Sequence, residues 1–297
     1  MSDTIANLHR KINSAEELQS VVRTMKAMAA SSIGQYEQSV LSLTDYYRSV
    51  ELGLGVCFRE MQTQAFVPER QTPPDTRIIC AIVFGSDQGL VGQFNEIVVD
   101  YALDKLAAMP GKPLLWVVGE RAYSQLADSG LPLQALFNAP NSVKAISALV
   151  GQILLAYEEI NTNGGLSEFY LFYNHRESVA VYTPVNQRLL PLDDSWRAKL
   201  AKTPWPGTNL PEIMGNGTTL RALIREYLFV SLFRACAESL SSENASRLAA
   251  MQRADKSIDE LLENLKNAFH RLRQSGIDEE LFDVISGYEA LSKVKRS

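Results

Sequence analysis

The residues best placed to do chemistry are Gly85-Ser-Asp-Gln-Gly-Leu-Val-Gly92, a glycine-rich stretch between an apolar run and a helical pattern. Such a turn is where backbone N–H groups cradle phosphate. The spacing here is G-x-x-x-G-x-x-G, not the dinucleotide G-x-G-x-x-G. The one Gly-Lys pair, Gly111-Lys112, runs into Pro113 and not into the Ser or Thr of a P-loop. The stretch is therefore expected to be a tight strand-to-helix turn whose glycines pack closely or take positive φ. Gly85, Asp87, Gly89, Gly92 and Asn95 are its candidate structural residues. His9, His175 and His270 fall in separate segments, and none has a metal-ligand spacing to a Cys or another His. The acidic pairs Glu16-Glu17, Glu158-Glu159, Asp193-Asp194 and Glu279-Glu280 are neighbours in sequence, so on a helix they diverge into solvent. No nucleophile elbow or Cys-His signature is present. The expectation is a chain with no catalytic residue, no metal and no cofactor of its own.

The elements around that turn follow from punctuation. All 12 prolines lie between Pro68 and Pro211, so the chain reads as long helix (1–60), compact middle (61–216), long helix (217–297). In the first segment apolar or small residues recur at Ile5, Leu8, Ile12, Ala15, Leu18, Val22, Met25, Ala29, Ile33, Tyr36, Val40, Leu43, Tyr47, Val50 and Leu54. Fourteen steps span 49 residues, a mean of 3.5, which is the coiled-coil period. Only Gly34 interrupts before Gly53. From Thr218 to Ser275 there are 58 residues without Gly or Pro, and the apolar stripe resumes after Gly276. Ser239, Ser241, Ser242, Glu243, Asn244 and Ser246 thin that stripe. The two helices are expected to pair, yet to be too long and too thinly apolar to be finished without a partner.

The middle alternates strand and helix. Arg77–Gly85 and Pro113–Gly119 are continuous apolar runs, as buried parallel strands are. Helices are expected over 93–109, 120–128 and 142–160, with a third strand at Leu133–Phe137. Glu168–Asn174 and Val179–Pro184 read as a hairpin turning at His175–Ser178. The fold class is α/β: an antiparallel coiled coil of the terminal helices plus a central Rossmann-like doubly wound sheet.

Composition closes off other classes. The chain has 297 residues, is 46% hydrophobic and 21% charged, and carries a net charge of -5, with no basic excess for nucleic acid. Cys57, Cys80 and Cys236 are too few and too far apart for a disulfide framework or a zinc site. No window reaches 18 apolar residues, so no transmembrane segment is expected, and the first residues do not form a secretory signal.

Three motifs carry a resemblance. Lys11-Ile-Asn-Ser-Ala-Glu-Glu-Leu-Gln-Ser-Val-Val-Arg-Thr-Met-Lys-Ala-Met-Ala-Ala-Ser31 resembles the N-terminal motif of the F-type ATP synthase gamma subunit. Ser86-Asp-Gln-Gly-Leu-Val-Gly-Gln-Phe-Asn95 is similar to that family's S-D-x-G-L-x-G-x-x-N loop. Ser242-Glu-Asn-Ala-Ser-Arg-Leu-Ala-Ala-Met251, followed by Arg273-Gln-Ser-Gly-Ile-Asp-Glu-Glu-Leu281 and Ile285-Ser-Gly-Tyr-Glu-Ala-Leu291, matches its C-terminal helix. Order and layout also agree over essentially the whole chain.

The resemblance implies a central rotor shaft without catalysis of its own. It implies as partners the alpha and beta subunits of the hexameric ring, the epsilon subunit and the membrane c-ring. It implies a peripheral position on the cytoplasmic face of a bacterial cell membrane, and a part in hydrogen ion transport and ATP synthesis. By position in the motifs, Arg23, Met25, Ala29, Ser31, Glu243, Arg247, Gln274 and Glu280 are the implied contacts to the alpha/beta ring. Ser20 and Ser32 stand where the family usually has lysine, Asp278 where it has threonine, Val91 where it often has cysteine, and Gly276 where it often has another residue. These departures fit a divergent branch. Two other readings stay open: a structural coiled-coil protein with an α/β dimerisation head, and a nucleotide binder using the Gly85–Gly92 loop.

Overall fold

The computed structural model describes residues 4–62, 77–162, 166–177, 182–208 and 217–294. In chain order the elements are α1 (Ile5–Ser42), α2 (Thr44–Gln62), β1 (Ile78–Phe84), α3 (Phe94–Ala107), β2 (Lys112–Val118), α4 (Glu120–Ala127), β3 (Leu133–Phe137), α5 (Val143–Thr162), β4 (Glu168–Arg176), β5 (Tyr182–Leu190), α6 (Asp194–Lys202) and α7 (Thr218–Val294). They fall into two compact units. One is Met1–Met28 with Leu248–Ser297, and the other is Ala29–Arg247. The division falls inside α1 and inside α7.

The larger unit is built on a sheet of order β3-β2-β1-β4-β5. β2, β1 and β4 pair in parallel, as do β2 and β3, and β5 closes one edge antiparallel to β4. Strands buried on both faces need apolar residues at every position, which is why Ile78–Phe84 reads as a continuous run. Cys80, Ile82, Phe84, Trp116, Phe169 and Leu171 point to one face, where α5 packs with Ile146, Val150 and Ile153. The same face is covered by Val50, Leu54 and Phe58 of α2 and by Tyr227, Leu232, Phe233 and Cys236 of α7. Ile79, Ala81, Val83, Leu115, Val117 and Phe172 point to the other face, against Val98, Ala102 and Leu106 of α3 and Leu126 of α4. Residues 29–62 and 217–247, drawn from the long terminal helices, thus cover the sheet.

Several expectations shift. The single N-terminal helix breaks at Leu43, not at Gly34. There the hydroxyls of Ser39, Ser42 and Thr44 donate to the carbonyls of Tyr36 (2.6 Å), Gln38 (3.0 Å) and Val40 (3.5 Å). Such back-bonding competes with the helix ladder and bends it. Conversely, α7 runs unbroken for 77 residues through Gly276, where an added Cβ would meet nothing. β4 continues to Arg176, into the turn expected at His175–Ser178, while Ser178 of that turn and residues 179–181 of the strand expected after it lie outside the described residues. β5 extends to Leu190 and α6 was not foreseen. The start of α6 is set by Asp193, whose carboxylate accepts from Ser195 N at 3.0 Å and is held below the usual range by that bond.

The smaller unit is an antiparallel helix pair. Glu16 meets Lys266 at 2.9 Å, Gln19 donates to Asp259, and Arg23 and Lys26 reach Asp255 at 3.2 and 2.9 Å. Its buried apolar cluster is Ile12, Ala15 and Leu262, flanked by Ile258, Leu265 and Phe269. Leu18, expected in the stripe, is 59% exposed, and its neighbour Gln19 is buried instead. A buried amide needs partners, and Asp259 and Asp255 supply them.

Candidate functional site

The glycine loop spends its hydrogen-bonding groups on the fold itself. Asn95, at the start of α3, accepts from Ser86 N at 2.9 Å and donates to Ser86 Oγ at 2.9 Å. Asp87 accepts from Glu120 N (3.1 Å), at the N-terminus of α4, and from Ala139 N (2.9 Å), beyond β3. A backbone N–H that would face a phosphate is thus already bonded, and the acid ties together the ends of β1, β2 and β3. The glycines divide. Gly85 lies so close to Ala122 that a Cβ would sit 2.3 Å from its methyl. Gly92 takes φ 58°, and so does the non-glycine Leu90, at 62°. Gly89 has an ordinary φ and room for a Cβ. The nucleotide-loop reading loses Ser86 N to this brace, and Gly85 N to Val118 O at 2.7 Å.

The polar stretch of α7 docks beside the loop. Ser239, Ser241, Ser242, Glu243, Asn244 and Ser246 are all buried. Of that stretch, expected to thin a helix seam, Ser242, Glu243, Asn244 and Ser246 find partners inside the chain's own α/β unit, while Ser241 Oγ is buried without one. Ser242 Oγ lies 2.9 Å from Asn174 O, and Ser246 Oγ donates to Val91 O in the glycine loop. Two of the three sequence motifs meet at that bond.

A cleft of about 190 Å³ opens beside the junction, lined by Tyr36, Asp87, Asn141, Glu243, Asn244 and Arg247 among others. Glu243 and Arg247 pair at 2.7 Å, with side chains only 8% and 12% exposed. Burial pushes the Glu243 carboxyl up, and Arg247 pulls it part of the way back. Tyr36 is raised too, by burial first and Glu243 second.

The implied contact residues do not gather in one place. Ala29, Glu243 and Arg247 lie in the α/β unit, the first two buried and the third nearly so. Ser31 is exposed. In the helix pair, Arg23 is 57% exposed while paired to Asp255, and Met25 is half-buried. Gln274 and Glu280 lie on a stretch of α7 where every residue from Arg271 to Ser286 is exposed except the half-buried Gly276. That stretch presents Leu272, Ile277, Leu281, Phe282, Val284 and Ile285. The sequence pointed to a helix unfinished without a partner, but its periodicity did not mark these six apolar side chains as the exposed ones. Among the described residues, no cluster of His, Cys, Asp or Glu is placed to hold a metal ion, and no helix is long and apolar enough to cross a membrane.

One unit is an α/β body that braces itself with its glycine loop, and the other is a pair of terminal helix segments. The family model described as ATP synthase matches residues 4–291. An ATP synthase gamma chain of Parafrankia sp. (strain EAN1pec) is 26% identical over 98% of this chain and 99% of its own. That of Nitrosomonas eutropha is 26% identical over 96% and 98%. Among solved structures, the fold is shared with the rotor of the Euglena gracilis mitochondrial ATP synthase, at TM-score 0.62 and 14% identity over 92% of this chain and 98% of that one. A chain of the Tetrahymena thermophila central stalk and c-ring matches at TM-score 0.55 and 22% identity, over 79% and 99%. The chain belongs to the ATP synthase gamma family, and its role is that of the central rotor shaft.

Proposed function

We propose that this chain turns inside a hexameric ring of alpha and beta subunits. Its α/β unit would engage the epsilon subunit and the membrane c-ring at the cytoplasmic face of the cell membrane. Ion flow through the membrane sector would drive the rotation that sets ATP synthesis, and ATP hydrolysis would drive it in reverse. The observation that carries this reading is the bare stretch Arg271–Ser286. A helix with six large apolar side chains exposed, from 37% at Leu272 to 70% at Val284, is built to be sheathed. A single asymmetric shaft presents a different face to each of several identical catalytic sites. Its angle can then bias their affinities only through contacts that differ between them. We assign those contacts to the exposed members of the implied set, Arg23, Ser31, Gln274 and Glu280, with the half-buried Met25. Ala29, Glu243 and Arg247 act from within the chain.

The test is assembly followed by a lock. Met28 is 66% exposed, so a Met28→Cys substitution can be cross-linked to an introduced cysteine on a beta subunit. The expected result is that cross-linking stops multisite ATP turnover, that single-site nucleotide binding persists, and that reduction restores turnover. Full turnover in the locked complex, or failure of the chain to co-purify with a catalytic ring, would overturn the reading in favour of a static coiled-coil protein.

A further inference from the structure

We infer that Glu238, Ser242 and Ser246 are positioning residues that fix the rotational setting of α7 on the α/β unit, so that torque on the helix cannot be lost as slip. This rests on the shaft reading. The three residues stand at i, i+4 and i+8, one line along the helix. Each meets a different anchor. Glu238 Oε2 is 2.8 Å from His175 Nδ1 at the end of β4, while its other oxygen accepts from Arg234 at 2.7 Å. Ser242 Oγ is 2.9 Å from Asn174 O and 2.9 Å from Glu238 O, so its one hydrogen is shared between strand and helix. Ser246 Oγ donates to Val91 O, and Tyr182 OH of β5 lies 3.4 Å behind it.

Elsewhere over the sheet α7 is held by apolar contact through its own Tyr227, Leu232, Phe233 and Leu240. Apolar burial is non-directional and resists rotation weakly. Hydrogen bonds fall off steeply with angle, so three of them along one line define an azimuth. The anchors are themselves held. Asn174 donates to Phe94 O at 2.9 Å, and the loop carrying Val91 is braced by Asn95 and Asp87. Ser242 and Asn174 are fully buried and Ser246 nearly so. A helix that slipped would take Ser242 from the Asn174 carbonyl and leave Val91 O with only the 3.3 Å bond from Phe94 N.

The experiment uses the whole membrane complex carrying Ser242→Ala and Ser246→Ala together. ATP hydrolysis should stay within about twofold of the parent. Ions pumped per ATP should fall by about threefold or more, since each lost bond shifts the seated-to-slipped ratio severalfold. Amide exchange over residues 234–247 should quicken by about tenfold in the full-length chain. A Ser242→Thr/Ser246→Thr variant, which keeps both hydroxyls, should recover the pumping ratio. An unchanged ratio in the alanine variant, or a threonine variant as poor as the alanine one, would overturn the inference. Should the double variant fail to assemble, Ser246→Ala alone reads the same ratio. If the parent complex neither assembles nor pumps, the shaft reading fails instead.

Discussion

The two units of the chain solve the packing problem in opposite ways. The α/β unit has apolar cores on both faces of its sheet, and on its buried polar stretch of α7 Ser242 and Ser246 bond to strand and loop carbonyls. The helix pair has Ile12, Ala15 and Leu262 as its buried apolar cluster and ties its turns with Gln19, Arg23, Lys26 and Lys266 against acids. Exposed or half-exposed ion pairs contribute little to stability. One unit is therefore complete by itself, and the other depends on being surrounded. A rotor shaft needs both a rigid part that accepts torque and a part that a ring can enclose.

The comparison breaks hardest in the sheet core. Phe169 is fully buried among Trp116 and Tyr157, so Phe169→Ala should cost about 3–5 kcal/mol. Urea unfolding should show the loss, and a cost below about 1 kcal/mol would mean the core is loosely packed. Arg247→Ala comes next. It leaves Glu243 buried without its ion partner, at a cost of about 3 kcal/mol. The free chain should show this before any ring is added, because the pair sits inside the α/β unit. An effect seen only in the assembled complex would return Arg247 to the ring contacts. The raised Glu243 carboxyl also fixes a sign. Its folded pKa lies above the unfolded one, so the folded state holds the extra proton. The stability of this unit should fall as pH rises through that window and level off above it. A rise over the same window would contradict the burial.

Asn95→Ala should cost about 2 kcal/mol, since Ser86 N would be left buried without an acceptor. Asp87→Asn should cost less, as it keeps one carbonyl oxygen to accept from a backbone N–H. The smallest effect is expected in the helix pair. Lys26 above all, and Arg23, hold Asp255 below the usual carboxylate range. Their contribution is present above the unfolded pKa and lost as pH falls through the folded one. Lys26→Ala should shrink that acid-side loss, leaving the part due to Arg23, and leave the α/β unit's unfolding midpoint unchanged. Hydrogen exchange on the free chain sharpens the contrast: slow amides in β1, β2 and β4 and in the parts of α2 and α7 over the sheet, fast ones over 4–28 and 248–294. Uniform protection would erase it.

The buried parallel strands were legible because a strand buried on both faces cannot hide its apolar run, but their order in the sheet was not. The S-D-x-G-L-x-G-x-x-N loop was legible as a turn, but not as a brace. Nothing in its spacing says that Asp87 reaches Ala139, 52 residues away. The polar stretch Ser239–Ser246 was misread as a weak seam because periodicity counts apolar residues and cannot see that a serine is satisfied by a distant carbonyl. Leu18 and Gln19 were exchanged for a similar reason: an ideal 3.5 stripe prefers Leu, while Asp255 and Asp259 across the pair prefer the amide. The break at Leu43 was written in Ser39, Ser42 and Thr44, residues usually passed over in a search for Gly and Pro.

The central claim is that this chain turns. Its three cysteines are all buried, so a Lys144→Cys substitution at an exposed site on α5 can be labelled alone with a bead or rod. The catalytic ring is fixed to a surface and ATP is added. The shaft account predicts sustained rotation of the probe in one direction, halted by the Met28→Cys cross-link and resumed on reduction. A probe that stays still while the same complexes hydrolyse ATP would contradict it.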